Sequence, residues 1–123
     1  MNRHEKEIAS QLDAMLFELF ARAHMQFGDA VISYWLYADE RCPGCGSAIS
    51  YMKFKGQNAL SLNAFIYRQY GVLIGYLLCG RCAARIHRAA QKNPYEQTPL
   101  HSVIEQNLTA AYGRYLADSA SFH

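Results

Sequence analysis

Cys42-Pro43-Gly44-Cys45-Gly46 and Cys79-Gly80-Arg81-Cys82 hold all four cysteines of the chain, with 33 residues between Cys45 and Cys79. Each pair has two residues between its members. That spacing lets two thiolates reach one tetrahedral metal ion at about 2.3 Å Zn–S. Gly44, Gly46 and Gly80 suit tight turns that aim backbone N–H groups at the sulfurs. Two such pairs complete a four-sulfur shell and leave no open coordination position. The expectation is one structural zinc ion held by Cys42, Cys45, Cys79 and Cys82.

Other readings of the cysteines fit less well. Two disulfides suit a secreted chain, but the first residues are charged and amphipathic and show no apolar signal segment. Cys-Pro-Gly-Cys alone resembles a redox pair. The second pair, and the lack of an evident thioredoxin-like βαβ pattern, argue against that. Iron in the same shell, as in rubredoxin, stays open on geometry. The second pair lacks the Pro and trailing Gly of the rubredoxin motif, which favours zinc.

The chain has 123 residues and 51% hydrophobic residues, enough for one domain with a core of its own. The metal then fixes a subregion rather than the whole fold. No apolar run approaches the roughly 18 residues of a membrane span. A protein of a reducing compartment, the cytoplasm, is expected. Net charge is only +2, but it is unevenly placed. Arg41, Lys53, Lys55, Arg68, Arg81, Arg85, Arg88 and Lys92 lie in a stretch with no Asp or Glu. The remaining residues carry four basic and ten acidic side chains. A zinc ion with four thiolates adds about −2 and leaves the middle strongly positive. Such asymmetry points to a polyanion or an acidic partner.

Outward from the cysteines, residues 4–27 read as a long helix. Ile8, Leu12, Met15, Leu16, Leu19, Phe20, Ala23 and Phe27 share an arc of about 140°, and Gly28 is a natural stop. Phe17 and Met25 lie off that stripe, as scattered surface residues or as a face for a dimer or partner. Val31 to Ala38 reads as a strand, and residues 47–54 as a returning strand, with the first cysteine pair at the tip. Lys55 to Asn58 reads as a turn. Residues 61–70 suit either a strand or a short helix capped by Ser61; the helix is the reading adopted. Val72 to Leu78 reads as a buried strand running into Cys79.

From Gly80 to Lys92 the pattern turns helical, with Ala83, Ile86 and Ala90 to one side, and Asn93-Pro94 ends it. Thr98 as N-cap and Pro99 at the first position open a last helix, residues 99–117. Its expected apolar face is Leu100, Val103, Ile104, Leu108, Ala111, Tyr115 and Leu116. Gly113 inside it implies close packing against the first helix, and residues 118–123 form a frayed tail. The expected fold is α+β: a small zinc module over 31–92, flanked by two amphipathic helices that pack together.

A cysteine pair on a turn, then strands, then a second pair opening a helix resembles the treble-clef group of zinc-binding domains. A zinc ribbon is the nearest alternative. The resemblance covers about residues 31–92 and implies that Cys79 and Cys82 sit at a helix start. Some treble-clef proteins are HNH nucleases, which need a histidine base in the hairpin. No histidine lies between Cys42 and Cys82, and His87 stands alone beyond them. The chain is therefore read as not an enzyme. His4, His24, His101 and His123 are scattered, and no glycine-rich phosphate loop is present.

Arg81, Arg85, Arg88 and Lys92 share an arc of about 60° on the helix from Gly80. Like charges at this spacing repel by a few tenths of a kcal/mol per pair. A cation near the helix start opposes the dipole by a further ~0.3–1 kcal/mol. No carboxylate on that helix relieves either effect, whereas a phosphate would. Two functions follow. In one, the basic middle contacts nucleic acid through these four residues, with Lys53, Lys55 and Arg68 extending the patch. In the other, the chain is an adapter or inhibitor on an acidic or nucleic-acid-binding protein surface. Its build resembles small phage- or plasmid-borne inhibitors, and a homodimer through the long helices is an option. Tyr51, Tyr67, Tyr70 and Tyr76 either stack on bases or fill the core.

Overall fold

A computed structural model describes residues 3–94 and 97–120, without the side chains of residues 3–11, Phe54 and Ala120. The protein is α+β. Its elements are α1 (Arg3–Phe27), a 3-10 turn (Gly28–Ala30), β1 (Ser33–Tyr37), β2 (Met52–Phe54), β3 (Gln57–Ala59), β4 (Ser61–Tyr67), β5 (Val72–Leu78), α2 (Gly80–Lys92) and α3 (Pro99–Ala120). They form two compact units, Met1–Leu36 with Leu62–Gly75 and Tyr37–Ser61 with Tyr76–His123. Among the described residues no helix is long and apolar enough to cross a membrane.

The first unit contains α1 and most of a three-stranded sheet of order β1-β5-β4. β5 runs Val-Leu-Ile-Gly-Tyr-Leu-Leu and is buried along nearly its whole length, as a central strand must be. Leu73 forms a core with Ala23 and Val31, against which Phe20, Phe27, Ala64 and Ile66 pack. From Leu12 onward the expected stripe on α1 is the less exposed face, with Ala23 buried and Leu12, Met15, Leu16, Leu19, Phe20 and Phe27 half-buried; Ile8 lies outside the described side chains. Phe17 and Met25 are exposed, at 79% and 87%.

The helix expected over 61–70 is instead β4, followed by a turn. The run Phe-Ile-Tyr carries β-forming side chains, and the open edge of β5 supplies ladder partners that a short isolated helix could not match. Gly71, at the end of that turn, has φ +63°, a left-handed conformation that suits glycine. Its carbonyl accepts from the amides of Ile32 at 2.8 Å and Ser33 at 3.2 Å, which sets the start of β1.

The second unit contains the cysteines, a β2–β3 hairpin, α2 and α3. β1 does not pair with a returning strand. Among the described residues, the segment after the first cysteines pairs with the chain before them in one antiparallel bridge, Arg41 with Ala48. Cys42 N to Ser47 O and Ile49 N to Glu40 O are that bridge's own bonds; just past it, Ser50 Oγ accepts from the Gly80 amide at the start of α2. β2 turns instead into β3 through Lys55 and Gly56, both with positive φ, so Gln57 and Asn58 are strand rather than turn.

Leu100, Ile104, Leu108, Ala111 and Tyr112 form the buried face of α3. Val103 and Tyr115, expected there, are 42% and 46% exposed. Val103 falls outside the arc of the buried five, and Tyr115 lies beyond the last of them. Gly113 has open space around it: an added Cβ would meet nothing within 4 Å. Close packing is therefore not why glycine stands there. The helix runs to Ala120, past the expected end at 117; residues 121–123 lie outside the described residues.

Candidate metal centre

The first cysteine pair sits on a narrow loop closed by backbone bonds. Cys42 N donates to Ser47 O at 2.7 Å, Gly46 N to Cys42 O at 2.8 Å, and Ile49 N to Glu40 O at 3.1 Å. Gly46, at φ +79°, makes the bend, and the Arg41 guanidinium donates to its carbonyl at 3.2 Å. Gly44 N points at the Cys42 sulfur, 3.3 Å away. Gly44 is tightly enclosed: a Cβ would stand 3.1 Å from both Cys82 Sγ and Leu100 Cδ1, so those side chains would have to yield by a few tenths of an ångström.

The second pair opens α2. Cys79 is the N-cap, and its sulfur accepts from Cys82 N at 3.4 Å. A thiolate there answers one of the unpaired N–H groups and the positive end of the helix dipole. Gly80 is needed because the helix start runs against residues 50–51. Its N–H donates to Ser50 Oγ at 2.9 Å, and a Cβ would overlap the Tyr51 carbonyl oxygen.

The two pairs come together. The sulfurs of Cys42, Cys45, Cys79 and Cys82 all lie within 4.8 Å of one another, with Cys45 and Cys79 at 3.5 Å. Four thiolates around zinc at about 2.3 Å stand about 3.8 Å apart. The cluster fits that shell, and all four cysteines are free rather than paired in disulfides. Four cysteines so placed can hold a metal ion. Cys42, Cys79 and Cys82 are buried and Cys45 is exposed.

The thiols differ in acidity. Hydrogen bonds from the Ser47 hydroxyl and amide lower Cys45 to about 6. Burial pushes Cys79 and Cys82 up. His87 is outside the cluster, with Nε2 3.4 Å from Gln91 Nε2. His24 Nδ1 lies 3.5 Å from the Tyr34 hydroxyl. His101 caps α3: its Nδ1 accepts from Thr98 N at 3.1 Å, while its amide donates to Thr98 Oγ1 at 3.3 Å. This is a capping box with histidine in the usual Glu position. The sequence reading named Thr98 but missed His101 as its partner.

Arg81, Arg85, Arg88 and Lys92 are all exposed along α2. No ion pair joins them to a carboxylate among the described residues. Ala90, expected on the apolar side, is exposed, and Ala84 and Ala89 are half-buried in its stead. Lys53 and Lys55 are exposed on the β2–β3 hairpin of the same unit, where β2 contacts α2. Arg68 belongs to the first unit, its guanidinium carbon 5.7 Å from the Phe27 ring centre. Tyr76 is buried, Tyr67 lies between Phe65 and Tyr70, and Tyr51 and Tyr70 are partly exposed.

Asn107 was not legible as a site residue. Its side-chain amide donates to the Pro43 carbonyl at 2.7 Å and braces the first cysteine loop from α3. Compared with known proteins, the chain matches no family model, no curated protein and no solved structure.

Proposed function

We propose that this chain is a non-enzymatic zinc protein of a reducing compartment, whose treble-clef-like module presents a basic helix to nucleic acid. It would act as a regulator or accessory factor. The observation that carries this reading is α2 itself. Four exposed cations follow one face, without ion pairs among the described residues. The first turn of the same helix belongs to the cysteine cluster. Zinc suits the all-thiolate shell, neutralises half its charge and leaves the helix face positive.

Spaced four, three and four residues apart, the cations span about 16 Å of helix at 1.5 Å per residue. Phosphate contacts by all four would give a log–log salt slope of about −3 on a single strand. Fluorescence anisotropy with a labelled oligonucleotide, from low to moderate salt, tests this. A flat affinity removes the reading; loss of binding in the double variant Arg85→Glu, Arg88→Glu supports it.

A second reading, a protein adapter or inhibitor, is favoured by Phe17 and Met25. Both are large, apolar and almost fully exposed on α1. They would serve a homodimer or a docking protein, while the basic helix faces an acidic surface. Partner capture that survives nuclease, and is lost on Phe17→Ser but not on charge reversal of α2, would establish this alternative.

A further inference from the structure

The basic helix is not uniform along its length. Its C-terminal half forms one wall of a groove of about 390 Å³, lined by Arg85, Arg88, Ala89, Lys92, Thr98 and Pro99. A smaller notch of about 200 Å³ shares Arg85, Ala89 and Thr98 with it and adds Ile86 and Leu100. Arg81 lies one turn away and takes no part in either. One place on the surface thus combines three cations with an apolar recess.

The donor balance of the groove narrows its occupant. Its described side chains supply two guanidinium forks, one ammonium and one hydroxyl, and no carboxylate or amide. An extended peptide needs a row of acceptors for its own N–H groups, and of the groove's described side chains only the Thr98 hydroxyl can accept. A phosphate ester brings acceptors alone. An internal phosphodiester carries one charge, whereas a terminal phosphomonoester carries about −1.5 to −2 and three acceptor oxygens, a better match to three cations. The start of α3 contributes little, because Thr98 N and the His101 amide are already satisfied within the capping box. The cations therefore carry the site.

We infer that this groove binds the terminal phosphate of a nucleic acid strand, with the end nucleotide's base or sugar in the notch formed by Ile86, Ala89 and Leu100. The next phosphate inward then falls near Arg81, about 6 Å along the helix from Arg85. This inference rests on the nucleic-acid reading above and deepens it from a charged face to recognition of a strand end.

The test uses the full-length, zinc-loaded protein and one single-stranded sequence in three forms: 5′-phosphorylated, 3′-phosphorylated and hydroxyl-ended. One phosphorylated form is expected to bind about tenfold tighter than the hydroxyl-ended strand, reflecting charge-assisted hydrogen bonds to the extra charge. That preference should vanish in Arg88→Ala, Lys92→Ala and Ala89→Leu, the last filling the notch. Lys53→Ala should retain it. Arg85→Lys should weaken it, since an ammonium lacks the planar fork.

Equal binding of all three strands overturns the end-recognition inference and leaves the nucleic-acid reading standing. If no strand binds, a nucleoside monophosphate followed by amide NMR decides. Shifts at Ala89 and Thr98 that the nucleoside alone does not produce keep the groove as a phosphate site and sink the nucleic-acid reading; no shift sinks both. An acidic peptide that moves the same amides at lower concentration than the nucleotide also overturns the inference.

Discussion

Asn107 donates its side-chain amide to the carbonyl oxygen of Pro43, 2.7 Å away, across 64 residues of sequence. A residue of α3 thereby holds the loop that carries Cys42 and Cys45. Asn107→Ala should leave the four cysteines in place but free the loop. The lost hydrogen bond is worth about 0.5–1.5 kcal/mol. Chelator competition should show metal leaving several-fold faster, while the metal content at rest stays near one ion per chain.

Glycines in the second unit should respond to alanine in opposite directions. At Gly80 a methyl group would collide with the Tyr51 carbonyl, so Gly80→Ala should destabilise by about 1–3 kcal/mol and loosen the second cysteine pair. At Gly113 the space is open, so Gly113→Ala should stabilise the helix by about 0.5–1 kcal/mol. Chemical denaturation of the two variants beside the parent protein checks both signs.

The acidity of the thiols makes metal retention depend on pH. Cys79 and Cys82 are raised by burial and must lose protons to bind metal, so affinity should rise with pH and fall in mild acid. In the metal-free protein the same two groups favour folding as neutral thiols. That contribution is present below their ordinary value near 9 and is lost as pH rises through their folded values. Cys45, lowered to about 6 and exposed, behaves oppositely: its contribution is present above 9 and lost as pH falls toward 6. After chelation at pH 7, iodoacetamide should label Cys45 first and Cys82 last, read by peptide mass spectrometry.

Metal removal should separate the two units. Cys45→Ser or Cys82→Ser should raise hydrogen exchange in the cysteine loop and the first turns of α2. The core around Leu73, Ala23 and Val31 contains no metal ligand and should stay protected. Leu73→Ala, by contrast, should cost about 2–5 kcal/mol whether or not metal is present. Exchange that rises equally in β4 and the cysteine loop after chelation would contradict this division.

The cysteine spacing, the buried strand at 72–78 and the helices at 80–92 and from 99 were legible because each rests on local chemistry. Thiol spacing, a continuous apolar run, a Thr98-Pro99 start and an Asn93-Pro94 stop act within a few residues. The strand at 61–67 was misread because its pattern is ambiguous alone and only the edge of β5 decides it. Gly113 was misread because a glycine's reason depends on neighbours that no helical wheel contains.

Sequence alone determined the two closely spaced cysteine pairs and the acid-free middle, since residue type and short spacing suffice to state both. Tertiary structure decided that the sulfurs converge within 4.8 Å, that Asn107 braces their loop, and that Arg85, Arg88 and Lys92 share a groove with Thr98 and Pro99. Those relationships join distant parts of the chain. Their geometry is set by how strands and helices bury their apolar faces, which no local pattern encodes.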